Sequence, residues 1–236
     1  MSSLDKDTPA FEASRLGRKD HWDTVYDREL RNYETTGDIG EIWFGSSAAT
    51  KMVSWVARTT QPTARILDVG CGNGHLLLEL ASRGYTNLTG TDYSAQAVRL
   101  AHEIALSSFH DITYAEQDFL DPEQVARVAG PKGFDVVLDK GTYDAICLMP
   151  MEDGSVDQKA IDVYPESVAR SLAQDGVFLI TSCNWTEDEL VARFKDHLVL
   201  FDRVKHATFA FGGAVGQTVV TVAFKNGRQH KHTFLK

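Results

Sequence analysis

Hydrophobic positions along this chain follow two different spacings. Across residues 20–33 they fall at Trp22, Val25, Tyr26, Leu30 and Tyr33, the period of one helix face. Such a face either packs on a core or closes as a lid over a ligand, and the pattern alone does not choose. Residues 1–19 before it are polar and lack any period, which predicts a flexible tail. Residues 37–45 form a glycine-bounded loop carrying Trp43 and Phe44, rings able to close over a ligand or to fill a gap. A further helix is expected over about 47–58, with Met52, Val53 and Val56 inward and Pro62 beyond its end.

After Pro62 the pattern becomes short apolar runs alternating with helical stripes. Strands are expected at 66–69, 87–91, 111–115, 134–138 and 176–181. Helices are expected at 76–82 and 122–129, the second with Pro122 in its first turn. Another should start at Ser94 as N-cap and bury Val98, Ala101, Ile104 and Ala105. Residues 148–157 read as a surface loop, followed by a helix to about 173 that Pro165 should kink or restart. Thr186 and Glu189 have capping-box spacing for a helix to about 197. Residues 198–207 and 217–224 read as two strands around a turn holding Gly212, Gly213 and Gly216, an antiparallel hairpin at the sheet edge. Alternating strands and helices predict a doubly wound, Rossmann-like α/β sheet, mostly parallel, as one domain over 20–236.

Composition narrows the class of partner. The chain has 236 residues and a net charge of −9, which argues against a general nucleic-acid binder. The charge admits a basic, lysine-bearing partner, although solubility alone explains it. Cys71, Cys147 and Cys183 are odd in number and contain no CxxC, so neither a disulfide framework nor a metal site is indicated. No apolar run of membrane length and no secretory signal at Met1 are present. A monomer in a reducing compartment is expected, with cytoplasm and nucleus not separated.

Ligands of doubly wound sheets bind beyond the carboxyl ends of the strands. After the first strand, Gly70, Gly72 and Gly74 are spaced GxGxG, with Cys71 and Asn73 between them. A dinucleotide fingerprint would place its third glycine at position 75, which is His75. Asp68 could hold the loop or meet an ammonium group. Asp92 ends the second strand, where a carboxylate can accept both ribose hydroxyls. Gln117, Asp118 and Phe119 follow the third strand, an amide and an acid beside a ring, which suits adenine. Together these positions describe a nucleoside with an amino-acid head: S-adenosyl-L-methionine.

Leu67-Asp-Val-Gly-Cys-Gly-Asn-Gly74 resembles motif I of seven-stranded methyltransferases, and Thr89-Gly-Thr-Asp-Tyr-Ser94 their ribose motif. More specifically, Gly40-Glu-Ile-Trp-Phe-Gly45, Leu138-Asp-Lys-Gly-Thr-Tyr-Asp-Ala-Ile146, Ser182-Cys-Asn-Trp-Thr186 and Phe209-Ala-Phe-Gly-Gly213 resemble a lysine methyltransferase family. That family is lysine methyltransferase 2, acting on translation elongation factor 1-alpha. The resemblance implies a seven-stranded sheet, S-adenosyl-L-methionine as cofactor with S-adenosyl-L-homocysteine as product, no metal, and a lysine of the elongation factor as acceptor. It adds Trp43 and Tyr93 to the cofactor set. It also implies that the acceptor lysine threads between the loops after strands four and five, toward Asp139, Tyr143 and Asn184. Asp139, placed at both sites, and Asp144 are expected to bind and orient rather than to act as strong bases. Burial among Trp43, Tyr143 and Trp185 would lower the lysine pKa from about 10.4. Lys140 reads as a structural cation paired with an acid. A small-molecule methyltransferase, a nicotinamide-dependent oxidoreductase and a non-catalytic binding module remain alternatives.

Overall fold

The computed structural model describes residues 11–206, 209–211, 214–216 and 218–227. A short 3-10 turn at Arg15–Gly17 leads into helices α1 (Lys19–Thr36) and α2 (Gly45–Thr59). The alternating part begins with β1 (Arg65–Val69), α3 (His75–Ala81), β2 (Asn87–Asp92), α4 (Ala95–Ser107) and β3 (Thr113–Glu116). It continues with α5 (Pro122–Ala129), β4 (Phe134–Lys140), α6 (Thr142–Ile146), α7 (Gln158–Ser171) and β5 (Leu172–Ser182). The last described elements are α8 (Glu187–Phe194), β6 (Leu198–Val204), a small ribbon of β7 (Phe209–Phe211) and β8 (Ala214–Gly216), and β9 (Val220–Asn226).

The main sheet has seven strands in the order β3-β2-β1-β4-β5-β9-β6. Strands β1 to β5 run parallel, and β9 lies antiparallel between β5 and β6. The strand order reverses between β1 and β4, so their carboxyl ends open the crevice that such sheets use for ligands. Register brings Val69 beside both Thr91 and Asp139, placing three strand-end loops together. One side of the sheet is covered by α2 and α3, through Met52, Trp55, Leu76 and Leu77. The other is covered by α5, α7 and α8, around Tyr143, Tyr164, Phe178 and Phe194. Core strands covered on both faces explain the unbroken apolar runs in the sequence.

Several local expectations differ from the structure. β5 starts at Leu172, where the helix was expected to continue, because Leu172 pairs with Phe134 of β4. Pro165 neither breaks nor restarts α7. Its missing N–H would have served the Ile161 carbonyl, which instead accepts the Tyr143 hydroxyl at 3.4 Å. Ser94 stands at the N-cap of α4 without a side-chain cap, its hydroxyl turned to Gln96. The buried stripe of α4 is Ala97, Leu100, Ala101, Ile104 and Ala105, with Val98 only half-buried. Helix α6 has no counterpart in the periodicity, since five residues are too few to carry one. The capping box of Thr186 and Glu189 is present.

Residues 11–18, part of the expected tail, make specific contacts with the folded body. Phe11 packs on Trp185 with ring centroids 5.0 Å apart, and Ser14 N–H donates to the Leu148 carbonyl at 3.1 Å. Gly17 touches the same backbone: a Cβ there would fall 2.1 Å from the Leu148 carbonyl carbon. Residues 1–10, Gly212 and Gly213 lie outside the described residues.

Candidate active site

The loop after β1 is built on close approach. Gly70 has φ +62°, and a Cβ on it would meet Thr142 Oγ1 at 2.1 Å. Thr142 in turn donates its hydroxyl to the Val69 carbonyl at 2.7 Å, tying α6 to the end of β1. Gly72 N–H donates to Asp92 Oδ2 at 3.0 Å, and Ser94 N–H to Asp92 Oδ1 at 2.9 Å. Asp92 thereby links the glycine loop to the loop after β2. Its burial outweighs these two donors and pushes its pKa up to about 6. Burial also pushes the Cys71 thiol far up, so it stands as a neutral packing group.

A cavity of about 400 Å³ opens at these strand ends, a size suited to a small-molecule ligand. Of the expected cofactor residues, Trp43, Gly70, Cys71, Gly72, Asn73, Asp92, Tyr93, Gln117, Asp118 and Phe119 line it. Gln117 carries the most direct sign of a ligand. It is 3% exposed, and neither its amide oxygen nor its amide nitrogen has a protein partner. A buried amide left open in this way is costly unless a ligand supplies the missing hydrogen bonds. Its donor and acceptor match an adenine edge, and Phe119 adjoins it. Asp118 is less free, since its carboxylate already accepts the Leu120 N–H at 2.9 Å.

The apolar face of α1 packs on the core and also reaches the cavity. Tyr26 and Leu30 pack on Ala97, Leu100 and Ile104 of α4. Lys19, Trp22 and Tyr26 meanwhile line the cavity. Trp22 is fixed by its indole N–H donating to the Leu16 carbonyl at 2.6 Å and by edge contact with Trp43 at 5.0 Å. Leu16 and Gly17 line the cavity too, which a tail without period gave no reason to expect.

Four expected site residues lie elsewhere. Asp68 and Gly74 are outside the lining; Asp68 is buried, and burial raises its pKa to about 7 against the favourable field of Lys140. Asp139 is 0% exposed and cannot touch a ligand in this conformation. Its carboxylate accepts the Thr142 and Tyr143 N–H groups at 2.8 and 3.0 Å and the Tyr164 hydroxyl, capping the start of α6. Tyr143 is also 0% exposed, stacked between Tyr164 and Trp185 at 4.8 and 5.5 Å. Its hydroxyl oxygen accepts from Arg193 Nε at 3.0 Å. Both residues shape α6 from behind. Trp185 is buried in the same stack, so Trp22, Trp43 and Phe44 form the aromatic wall instead.

Another side of the cavity is made by α6 and the loop after β5. Thr142, Asp144, Cys183 and Asn184 line it. Asp144 accepts the Ser182 hydroxyl and the Cys183 N–H, the latter at 2.8 Å, and burial raises its pKa. Ser182 Oγ then accepts the Asn184 and Trp185 N–H groups, each at 3.1 Å, which orders the loop presenting Asn184. Lys140, expected as a cation paired with an acid, forms no ion pair among the described residues; it lines the cavity, with Asp68 and Asp139 favouring its charge while burial opposes it. Among the described residues, no cluster of side chains could hold a metal ion.

A methyltransferase domain model matches residues 61–228. EEF1A lysine methyltransferase 2 of Mus musculus is 41% identical over 217 residues, covering 91% of this chain and 85% of that protein. Protein-lysine N-methyltransferase EFM4 of Saccharomyces cerevisiae is 40% identical, covering 92% of this chain and 97% of its own. A SAM-dependent methyltransferase structure from Anabaena variabilis has a TM-score of 0.66 at 15% identity, covering 94% of this chain and all of that one, a likeness of fold.

Proposed function

The chain belongs to the EEF1A lysine methyltransferase 2 family, and from that premise we propose that it methylates a lysine side chain of elongation factor 1-alpha. The observation carrying this reading is 41% identity to the mouse protein over 91% of the chain. S-adenosyl-L-methionine, when bound, supplies an activated methyl group on a sulfonium. Asp92 keeps lone pairs for ribose hydroxyls beyond the two N–H groups it already accepts. Gln117 offers a donor and an acceptor to adenine. Trp22, Trp43 and Phe44 exclude water from the reacting end.

The acceptor must be a neutral amine. Lysine has a pKa of about 10.4 in water, and desolvation against the aromatic wall lowers it. A bare carboxylate beside the amine would hold it as ammonium. The two internal donors on Asp144 temper that charge. Asn184 presents a neutral amide that can align the amine without stabilising its charged form. Alignment at close distance is the main contribution left to the protein.

Incubating the protein with labelled S-adenosyl-L-methionine and purified elongation factor 1-alpha, then mapping the label by mass spectrometry, tests the proposal. Label on one lysine is the expected result. Cofactor binding without label on the factor overturns the acceptor; no cofactor binding overturns the whole reading. The proposal includes action as a monomer in cytoplasm or nucleus, which sedimentation and imaging of the tagged protein would check.

A further inference from the structure

The loop between α1 and α2 carries the aromatic wall, and it is pinned far more firmly than a surface connection requires. Phe44 has φ +63°, a left-handed conformation that costs a residue with a side chain about 1 kcal/mol or more and persists only where neighbours impose it. Three elements reach the loop. Asn73, in the glycine loop, donates its side-chain amide to the Ile39 and Glu41 carbonyls at 2.9 and 3.2 Å. Glu29, buried on α1, accepts the Glu41 N–H at 3.3 Å. Lys140, at the end of β4, donates Nζ–H to the Trp43 carbonyl at 3.1 Å. The Phe44 ring sits on Gly141, where a Cβ would fall 2.9 Å from its Cζ.

Lys140 stands out among these anchors. Burying an ammonium group is expensive, and a neutral side chain would satisfy packing alone. Its hydrogen bond to Trp43 goes to a main-chain carbonyl, the one that precedes the strained residue. Asn73 likewise uses its amide donors on the loop. The Trp43 indole that results lines the cavity with its N–H buried and unpartnered by protein.

We propose that Lys140 and Asn73 are positioning residues that act through Trp43, clamping the loop so that its indole stands across the cofactor cavity. The inference rests on the cofactor reading above. It makes one loop the mechanical link between the glycine loop, through Asn73, and the acceptor loop after β4, through Lys140 and Gly141.

A residue that acts through Trp43 loses its effect once the indole is gone. Calorimetric titration with S-adenosyl-L-homocysteine, without acceptor protein, reads this for wild type, Trp43→Ala, Lys140→Met and the double variant. Each single change is expected to weaken binding about tenfold, and the double variant to match Trp43→Ala within about twofold. Lys140→Arg, which can donate to the same carbonyl, should recover most of the loss. A cation touching the cofactor directly would instead cost the same factor with and without Trp43. That result, or unchanged affinity in Lys140→Met, overturns the proposal. Circular dichroism checks folding; if Lys140→Met does not fold, Asn73→Ala paired with Trp43→Ala decides by the same comparison. Wild-type protein that binds no S-adenosyl-L-homocysteine overturns the cofactor reading and this inference with it, whereas binding with additive effects overturns this inference alone.

Discussion

Tyr143 and Asp139 sit in the stretch that most resembles a substrate loop, yet both turn their side chains into the core. Tyr143 accepts from Arg193 and donates to the carbonyl that Pro165 leaves without a helix partner. Tyr143→Phe should therefore destabilise the fold by about 1–2 kcal/mol while leaving S-adenosyl-L-homocysteine affinity unchanged, read by denaturation and calorimetry. Asp139 makes a pH prediction. Burial raises its pKa from 3.8 to about 7, so the folded protein keeps a proton that the unfolded chain releases. The stability that proton supplies is full below the unfolded value and is lost as pH rises to about 7. Asp139→Asn does not titrate, so the melting-temperature gap between wild type and this variant should narrow steadily from pH 4.5 to pH 7.5, within roughly the same window. A gap that widens would overturn the assignment. Asp92, in contrast, faces the cavity. Asp92→Ala should cost roughly 2–4 kcal/mol of cofactor affinity, because the ribose contacts proposed for it and the tie to Gly72 would go together; unchanged calorimetric affinity would refute it.

Elements were legible where a local cause sets them. Thr186 and Glu189 close a capping box whatever surrounds them, and the helix after them starts where expected. Thr186→Ala should lower stability by about 1 kcal/mol and leave turnover unaltered, since α8 meets the site only through the preceding loop. The α5 boundaries likewise follow from Asp121 and Pro122, with Asp121 accepting the Glu123 and Gln124 N–H groups. Helix α6 was not legible, because its start is capped by Asp139 from the preceding strand rather than by a pattern of its own. Ser94 has the right residue type at the right position, but Asp92 takes its N–H and the hydroxyl turns away. Propensity yields there to a contact with Gln96 that draws the hydroxyl away from the helix start.

At the scale of the whole molecule, the N-terminal segment joins two halves of the site. Phe11 lies on Trp185 in the loop after β5, while Leu16 holds the Trp22 indole that lines the cavity. Removing residues 1–18 should weaken S-adenosyl-L-homocysteine binding by about tenfold, roughly 1.4 kcal/mol, with the α/β sheet still folded by circular dichroism. Wild-type affinity in that truncation would return the segment to a passive role.

The sequence by itself determined the alternation of strands and helices, the GxGxG turn and the acid ending β2. Each follows from local rules of side-chain period, backbone freedom and chain direction. It also carried the motifs by which the family is recognised. Only the tertiary structure decided which motif residues line the cavity. Asp139 and Lys140 are neighbours on one strand, and alternation sends them to opposite sides: one into the core beneath α6, the other to the cavity edge. Which side becomes core depends on α7 and Tyr164, far along the chain, and on the N-terminal segment folding back onto Trp185. Those contacts are non-local, so no window of sequence contains them.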